Sequence, residues 1–271
     1  MNRIDETFAR LRANDQMGLF PYLTAGFPDL DATEPLAIAA IEAGADGLEL
    51  GVPFSDPLAD GATMQHASEI ALRNGASLSW TIELTRRLRA RTNAPLNLMT
   101  YYNPVFHYGV ERFVEDALAA GADSVIVPDL PSGEANELLA IAVPRGLYVI
   151  QMVAPTSTAA RLTEVGRLAR GFVYCVSLLG TTGARSAVSD RVGTFMAEVR
   201  SHVSQPLLIG FGISRPEHVR AVRPFADAVV VGSAVADLLD ATPAASRETV
   251  LRRYMEELRE ACDVPQVRAK R

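Results

Sequence analysis

The sequence predicts a (β/α)8 barrel with an extra N-terminal helix, and three observations carry that prediction. Eight short apolar or β-branched runs recur along the 271 residues. Amphipathic stretches with helical spacing separate them, and every interval has room for a crossover helix. The quartet Ala-Gly-Ala-Asp stands before two of the runs, at Ala43–Asp46 and Ala120–Asp123, as a weak internal repeat two βα units apart.

In chain order, strands are expected at Gly18–Leu23, Gly47–Leu50, Leu96–Met99, Ser124–Val127, Leu147–Met152, Phe172–Ser177, Leu207–Gly210 and Ala228–Val231. Each is hydrophobic nearly throughout, as parallel strands covered on both faces should be. Helical patterns fall at Ala32–Ala43, Leu78–Arg91, Glu111–Ala120, Glu134–Val143 and Arg191–Val203. The glycine of the quartet suits the left-handed turn that ends a helix before the chain re-enters the sheet. Met1–Ala13 is expected to be the additional helix, closing the barrel bottom. Pro243–Ala261 is expected to be a last helix, followed by a frayed basic tail. A doubly wound open sheet is the rival fold, but eight similar units favour closure into a TIM barrel. No Ser/Gly linker or shift in composition interrupts the chain, so residues 1–271 are expected to form a single barrel domain.

Composition narrows the chemistry. A formal charge of −6 with no basic stripe speaks against nucleic acid as a partner. No apolar run approaches the ~18 residues of a membrane span, and the N-terminus lacks a signal-peptide core. No membrane association and a cytoplasmic location are therefore expected. Of the 26 basic residues, all but Lys270 are arginine. That excludes chemistry needing an internal lysine, such as a Schiff base, pyridoxal attachment or a P-loop. Two cysteines without CxxC spacing, Cys175 and Cys262, offer no disulfide framework, and four scattered histidines offer no metal site.

In a barrel, function resides in the segments that follow the strands. After the seventh and eighth strands stand Gly210-Phe211-Gly212-Ile213-Ser214 and Val231-Gly232-Ser233. Loops in these two places often hold phosphate, because glycine lets backbone N–H groups approach an anion. Ser214 and Ser233 stand where a helix N-terminus would add its partial positive charge. Either loop alone reads as ordinary serine capping, and the pair together favours phosphate. With only Arg215 nearby, binding would rest on amides and dipoles. The second strand carries an anomaly, Glu49 within Gly47-Leu48-Glu49-Leu50-Gly51. A carboxyl there either faces the barrel interior or marks a misassigned strand, and no other strand core supplies an arginine to pair with it. Its pKa is expected to rise, so that it exchanges protons near neutrality. Two more acids, Asp56 and Asp60, follow in the loop Pro53–Gly61, and composition leaves open which of them faces a substrate.

The 14 residues LELGVPFSDPLADG, Leu48–Gly61, resemble the signature of the tryptophan synthase alpha chain family. The likeness continues through Thr24–Pro28, Met99–Pro104, Val127–Pro131, Gly180–Val188, Gly210–Ser214 and Val231–Ser233. It implies retro-aldol cleavage of indole-3-glycerol phosphate to indole and glyceraldehyde 3-phosphate. By the same resemblance Glu49 is the acid/base residue, and Asp60 holds the indole N–H and offsets the developing positive charge. Thr182 and Gly183 help close the sixth loop and orient Asp60, while Gly183, Gly212, Gly232 and Ser233 cradle the phosphate. Tyr22, Tyr101, Ile126, Tyr174 and Phe211 would form the indole pocket, although each reads equally well as a core residue. The resemblance also implies no cofactor in this chain. It implies a beta-subunit partner carrying pyridoxal phosphate in an α2β2 heterotetramer, with the Pro53–Asp60 loop communicating with that partner. Ala62, Thr181 and Leu178-Leu179 depart from the family's usual residues, which bears on loop rigidity and closure and leaves both acids in place.

Three alternatives remain open at the level of sequence. Another phosphate-binding barrel, such as an isomerase, would call for acids on opposing strands or a catalytic cysteine, and Cys175 inside a strand suits that poorly. A stand-alone indole-3-glycerol-phosphate lyase would carry the same residues without an obligate partner. A non-catalytic activator of a beta chain would need neither the two acids nor the phosphate loops.

Overall fold

The computed structural model describes residues 1–176, 185–210 and 212–263, with side chains from Arg191 onward in the second stretch. Eight parallel strands close into a barrel in chain order, the last pairing with the first. They are β1 Gly18–Thr24, β2 Leu48–Gly51, β3 Leu96–Met99, β4 Ser124–Ile126, β5 Tyr148–Val153, β6 Val173–Val176, β7 Leu207–Gly210 and β8 Ala228–Val231. The expected TIM barrel is thus the observed fold, with strand ends close to those read from the sequence.

Helices cover the outside. The first six are α1 Arg3–Ala13, α2 Leu30–Glu42, α3 Ala62–Arg73, α4 Leu78–Arg89, α5 Tyr102–Tyr108 and α6 Val110–Ala120. The others described are α7 Asn136–Arg145, α8 Ala159–Leu168, α9 Arg185–His202, α10 Pro216–Val222, α11 Ser233–Ala241 and α12 Arg247–Asp263. Helix ends at α1, α2, α4 and α7 shift by one or two residues from expectation, and the larger differences are that α9 begins at Arg185 rather than Arg191 and that a 3-10 turn at Ala244–Ser246 precedes α12. The basic tail lies outside the described residues. No described helix is long and apolar enough to cross a membrane.

Strand alternation sorts the apolar side chains into two cores. Leu48 and Leu50, Leu96 and Leu98, and Leu207 and Ile209 pack with the helices. Phe20, Ile126, Phe172, Tyr174, Leu208 and Val230 fill the lumen with Ile4, Phe8 and Leu11 of α1. That helix closes the barrel bottom. The Phe8 ring lies 6.0 Å from Phe20 and from Phe172, which are themselves 6.2 Å apart.

The repeated quartet has a mechanical role at this lower end. Gly121 adopts φ +89° and ends α6 in the left-handed turn, and a Cβ there would lie 2.5 Å from the Arg89 side chain. The aspartate then clasps the preceding odd-numbered strand. Asp46 donates its N–H to the Leu19 carbonyl at 2.8 Å, and its carboxylate accepts the Leu19 N–H at 2.9 Å. Asp123 repeats this on Leu96, at 2.9 and 2.8 Å, and Asp227 on Leu207, at 2.8 Å both ways. Arginines complete the clasps: Arg10 and Arg259 on Asp46, Arg3 and Arg89 on Asp123, Arg200 on Asp227.

Candidate active site

At the opposite end, the C-terminal tips of the strands surround a cavity of about 300 Å³. Tyr22, Met99, Tyr174, Val230 and Ile213 give it apolar walls. Asp60, Thr63, Gly212, Gly232 and Ser233 supply polar atoms or bare backbone. An amphipathic molecule, flat and apolar at one end and charged at the other, suits such a lining.

Glu49 lies in the lumen because β2 alternates, sending Leu48 and Leu50 toward the helices. It is wholly buried, and neither carboxylate oxygen has a hydrogen-bond partner. Burial alone pushes its pKa up to about 8. Its strand neighbours explain the lack of compensation. In the sheet register Glu49 stands between Tyr22 and Asn97, and Asn97 stands beside Ser124. The Asn97 amide donates to the Leu48 carbonyl at 3.1 Å and accepts the Ser124 hydroxyl at 2.7 Å. A carboxyl in these surroundings stays protonated at neutral pH and has a proton to give.

Asp60 lines the cavity from the loop after β2, whereas Glu49 is buried in the lumen and is not among the wall residues. Its N–H donates to the Pro57 carbonyl at 3.0 Å. Partial burial raises its pKa, and a hydrogen bond from the Tyr101 hydroxyl acts the other way. Tyr101 also takes the Ala59 N–H at 3.0 Å and packs on Phe54 with ring centroids 5.4 Å apart. Asp56, the other loop acid, is exposed and accepts the Ser55 hydroxyl at 2.5 Å. Of the two candidates, Asp60 is the one at the cavity.

The two loops expected to hold phosphate are brought to the cavity unequally. Ser233 is the first residue of α11, and the leading N–H groups of a helix have no acceptor within it. Gly212, at φ +81°, lines the cavity beside it. Ser214 differs from expectation, since α10 begins only at Pro216, where proline suits a first helical turn. The Ser214 N–H donates to His218 Nδ1 at 3.3 Å, and its carbonyl accepts the Tyr254 hydroxyl at 2.9 Å. Thr182, Gly183 and Phe211 lie outside the described residues.

Of the aromatic and apolar candidates, Tyr22 and Tyr174 line the cavity. Tyr101 stands behind Asp60, and Ile126 is wholly buried in the lumen cluster, so neither is on the wall. Met99, Val230, Met64 and Ile213 are wall residues that sequence reasoning missed. Parity was the available signal for two of them. Met99 follows Asn97 by two positions and Val230 follows Ala228 by two, so each keeps its strand's inward face.

Known proteins resemble the chain along nearly its whole length. The model of a family described as Tryptophan synthase alpha chain matches residues 8–264. The tryptophan synthase alpha chain of Chloroflexus aggregans is 47% identical over 259 residues, covering 95% of this chain and 97% of that one. That of Geobacter sulfurreducens is 48% identical over 261 residues, covering 96% and 99%. The crystal structure of tryptophan synthase subunit alpha from Legionella pneumophila superposes with a TM-score of 0.91 at 35% identity, covering 97% and 99%.

Proposed function

The chain belongs to the tryptophan synthase alpha chain family, and from that premise we propose how its residues divide the reaction. It is a lyase that cleaves indole-3-glycerol phosphate to indole and glyceraldehyde 3-phosphate. The observation that carries the residue assignment is the pairing of two unlike carboxyls, Glu49 buried without a partner and Asp60 on the cavity wall.

Glu49, protonated at neutral pH, gives its proton to indole C3. The ring then carries positive charge that extends to N1, where the Asp60 carboxylate accepts the N–H and offsets the charge. As the bond from C3 to the glycerol carbon breaks, its electron pair restores the indole ring. The Glu49 carboxylate takes the proton of the neighbouring hydroxyl, which becomes the aldehyde. Glu49 ends protonated again, so no external proton, metal or oxidant enters the balance. Tyr22 and Tyr174 hold the ring, while Gly212, Gly232 and the first turn of α11 hold the phosphate. Thr182, Gly183 and Phe211 are assigned to loop closure, phosphate and ring by family likeness, as Tyr101 and Ile126 are to the ring pocket.

The alpha designation implies a beta-subunit partner. We read the assembly as an α2β2 heterotetramer in the cytoplasm, with pyridoxal phosphate in the beta chain and this chain as one barrel domain over residues 1–271. The test is indole release from indole-3-glycerol phosphate by the wild type and Glu49→Gln, each alone and with a tryptophan synthase beta chain. Glu49→Gln is expected to release no indole while binding substrate within about tenfold of wild type, and the beta chain is expected to stimulate only the wild type. A fully active Glu49→Gln ends the residue assignment, and an unstimulated wild type ends the assembly.

A further inference from the structure

We propose that Gln65 is a positioning residue for this cleavage, holding the main chain of Asp60 so that its carboxylate meets the indole N–H. The inference rests on the assignment of Asp60 to that N–H.

Asp60 is held at each of its polar groups. Its N–H donates to the Pro57 carbonyl at 3.0 Å, a contact within the loop itself. The Tyr101 hydroxyl bonds its carboxylate from the segment after β3. Its carbonyl accepts Gln65 Nε2 at 2.9 Å, from the first turn of α3. Tyr101 thus meets the carboxylate, whereas Gln65 ties the peptide that carries it to a helix.

The junction between Asp60 and α3 needs such a tie. Gly61 is the N-cap of α3 and offers no side chain to cap it. A Cβ built on Gly61 would meet nothing within 4 Å, so packing does not restrain the backbone there. Glycine is also the residue most free to rotate. Gln65 closes this gap twice. Its main-chain N–H donates to the Gly61 carbonyl at 3.0 Å, and its side chain donates to the Asp60 carbonyl. One residue therefore fixes two successive peptide units. Asp60, Gly61, Ala62, Thr63 and Met64 line the cavity as an unbroken run, and Gln65 is the first residue beyond it. It is not on the wall itself, so its effect reaches the ring through Asp60.

The bond from Gln65 is exposed and water can replace it, so its weight in folding is small. Its weight in the reaction is larger. A displacement of about 1 Å in a group that meets developing charge can cost up to about 10²-fold in rate.

Gln65→Met keeps the length of the side chain and its fitness for a helix, and removes the donor. The measurements are kcat and KM for indole-3-glycerol phosphate, together with thermal unfolding. A fall in kcat of about tenfold is expected, with KM within about twofold and the melting temperature within about 2 °C. Gln65→Lys returns a donor to the end of an unbranched chain and is expected to recover most of the rate. In the Asp60→Asn background Gln65→Met is expected to cost nothing further, because both changes act on one contact to the substrate. A wild-type kcat in Gln65→Met overturns the proposal, and so does the full tenfold loss in the Asp60→Asn background. A loss of rate that follows a loss of folded protein, and that lysine does not restore, would leave Gln65 a helix residue only. If Asp60→Asn itself keeps the wild-type rate, the assignment of Asp60 fails. If Asp60→Asn is slow while Gln65→Met is not, only the role of Gln65 fails.

Discussion

Asp123 at the bottom of the barrel and Glu49 in its lumen are carboxyls removed from water to nearly the same degree, 3% and 0% exposed. Their surroundings are opposite. Asp123 receives Arg3 at 3.0 Å, Arg89 at 2.8 Å and the Leu96 N–H at 2.8 Å. Glu49 receives nothing. An ionised carboxylate out of water is costly unless donors surround it, and a carboxyl without donors keeps its proton instead. The barrel thus uses one chemical group in two ways. At the lower end charge is fully met and fixes where strands begin. At the upper end it is left unmet, and a proton becomes available for chemistry.

The largest test of this contrast is Asp123→Ala. It strips two arginines and a strand N–H of their shared acceptor, and removing one side of a buried ion pair typically costs ~3–5 kcal/mol. Urea unfolding at pH 7 should show a loss in that range, with the cleavage rate of the folded fraction retained. A loss under about 1 kcal/mol would mean that the clasp does not hold the strands.

Glu49→Gln should act on stability with the opposite sign. With its folded pKa raised to about 8, Glu49 binds more protons folded than unfolded between the ordinary carboxyl range and pH 8. The favourable contribution of its neutral form is present in acid and is lost as pH rises through about 8. Glutamine has no such dependence. The variant should match wild type near pH 4 and exceed it by about 2–4 kcal/mol at pH 9.5. Thermal unfolding across that range checks this, and a gap independent of pH would mean that Glu49 has a partner when ionised.

How much of this was legible in the sequence depends on whether the signal was local. The strands were legible because parallel strands covered on both faces are apolar throughout, and Gly44 and Gly121 marked the turns before β2 and β4. Glu49 was legible as an interruption of such a run. The choice between Asp56 and Asp60 was not, because it depends on Tyr101, more than forty residues away, bonding to the loop at Ala59. Met99 and Val230 were hidden because a wall residue and a core residue have the same chemistry, and only strand parity separates them. Ile126 shows the limit of parity, since it points into the lumen yet is not among the residues that line the cavity. The clasp arginines were invisible for a further reason: Arg3 and Arg89 reach Asp123 from helices distant in sequence, and twenty-five arginines offer no clue to which two are used.

The smallest expected effect separates the buried part of the clasp from its exposed part. Arg3 and Arg89 both meet Asp123, but their side chains are 39% and 13% exposed. Arg89 also donates to the Gly121, Thr92 and Ala94 carbonyls, so its guanidinium is held whether or not Arg3 is present. Arg3→Ala should therefore cost about 1 kcal/mol or less, and the cost should shrink in high salt, as for exposed pairs. In the Asp123→Ala background it should cost nothing further, because the two substitutions remove the same interaction. A double-mutant cycle by urea unfolding measures this directly. A coupling well above 1 kcal/mol would move the weight of the clasp outward to α1 and make closure of the barrel bottom depend on an exposed charge. A small coupling leaves Arg89 and the Leu96 N–H as the groups that make a charged Asp123 tolerable where Glu49 stays neutral.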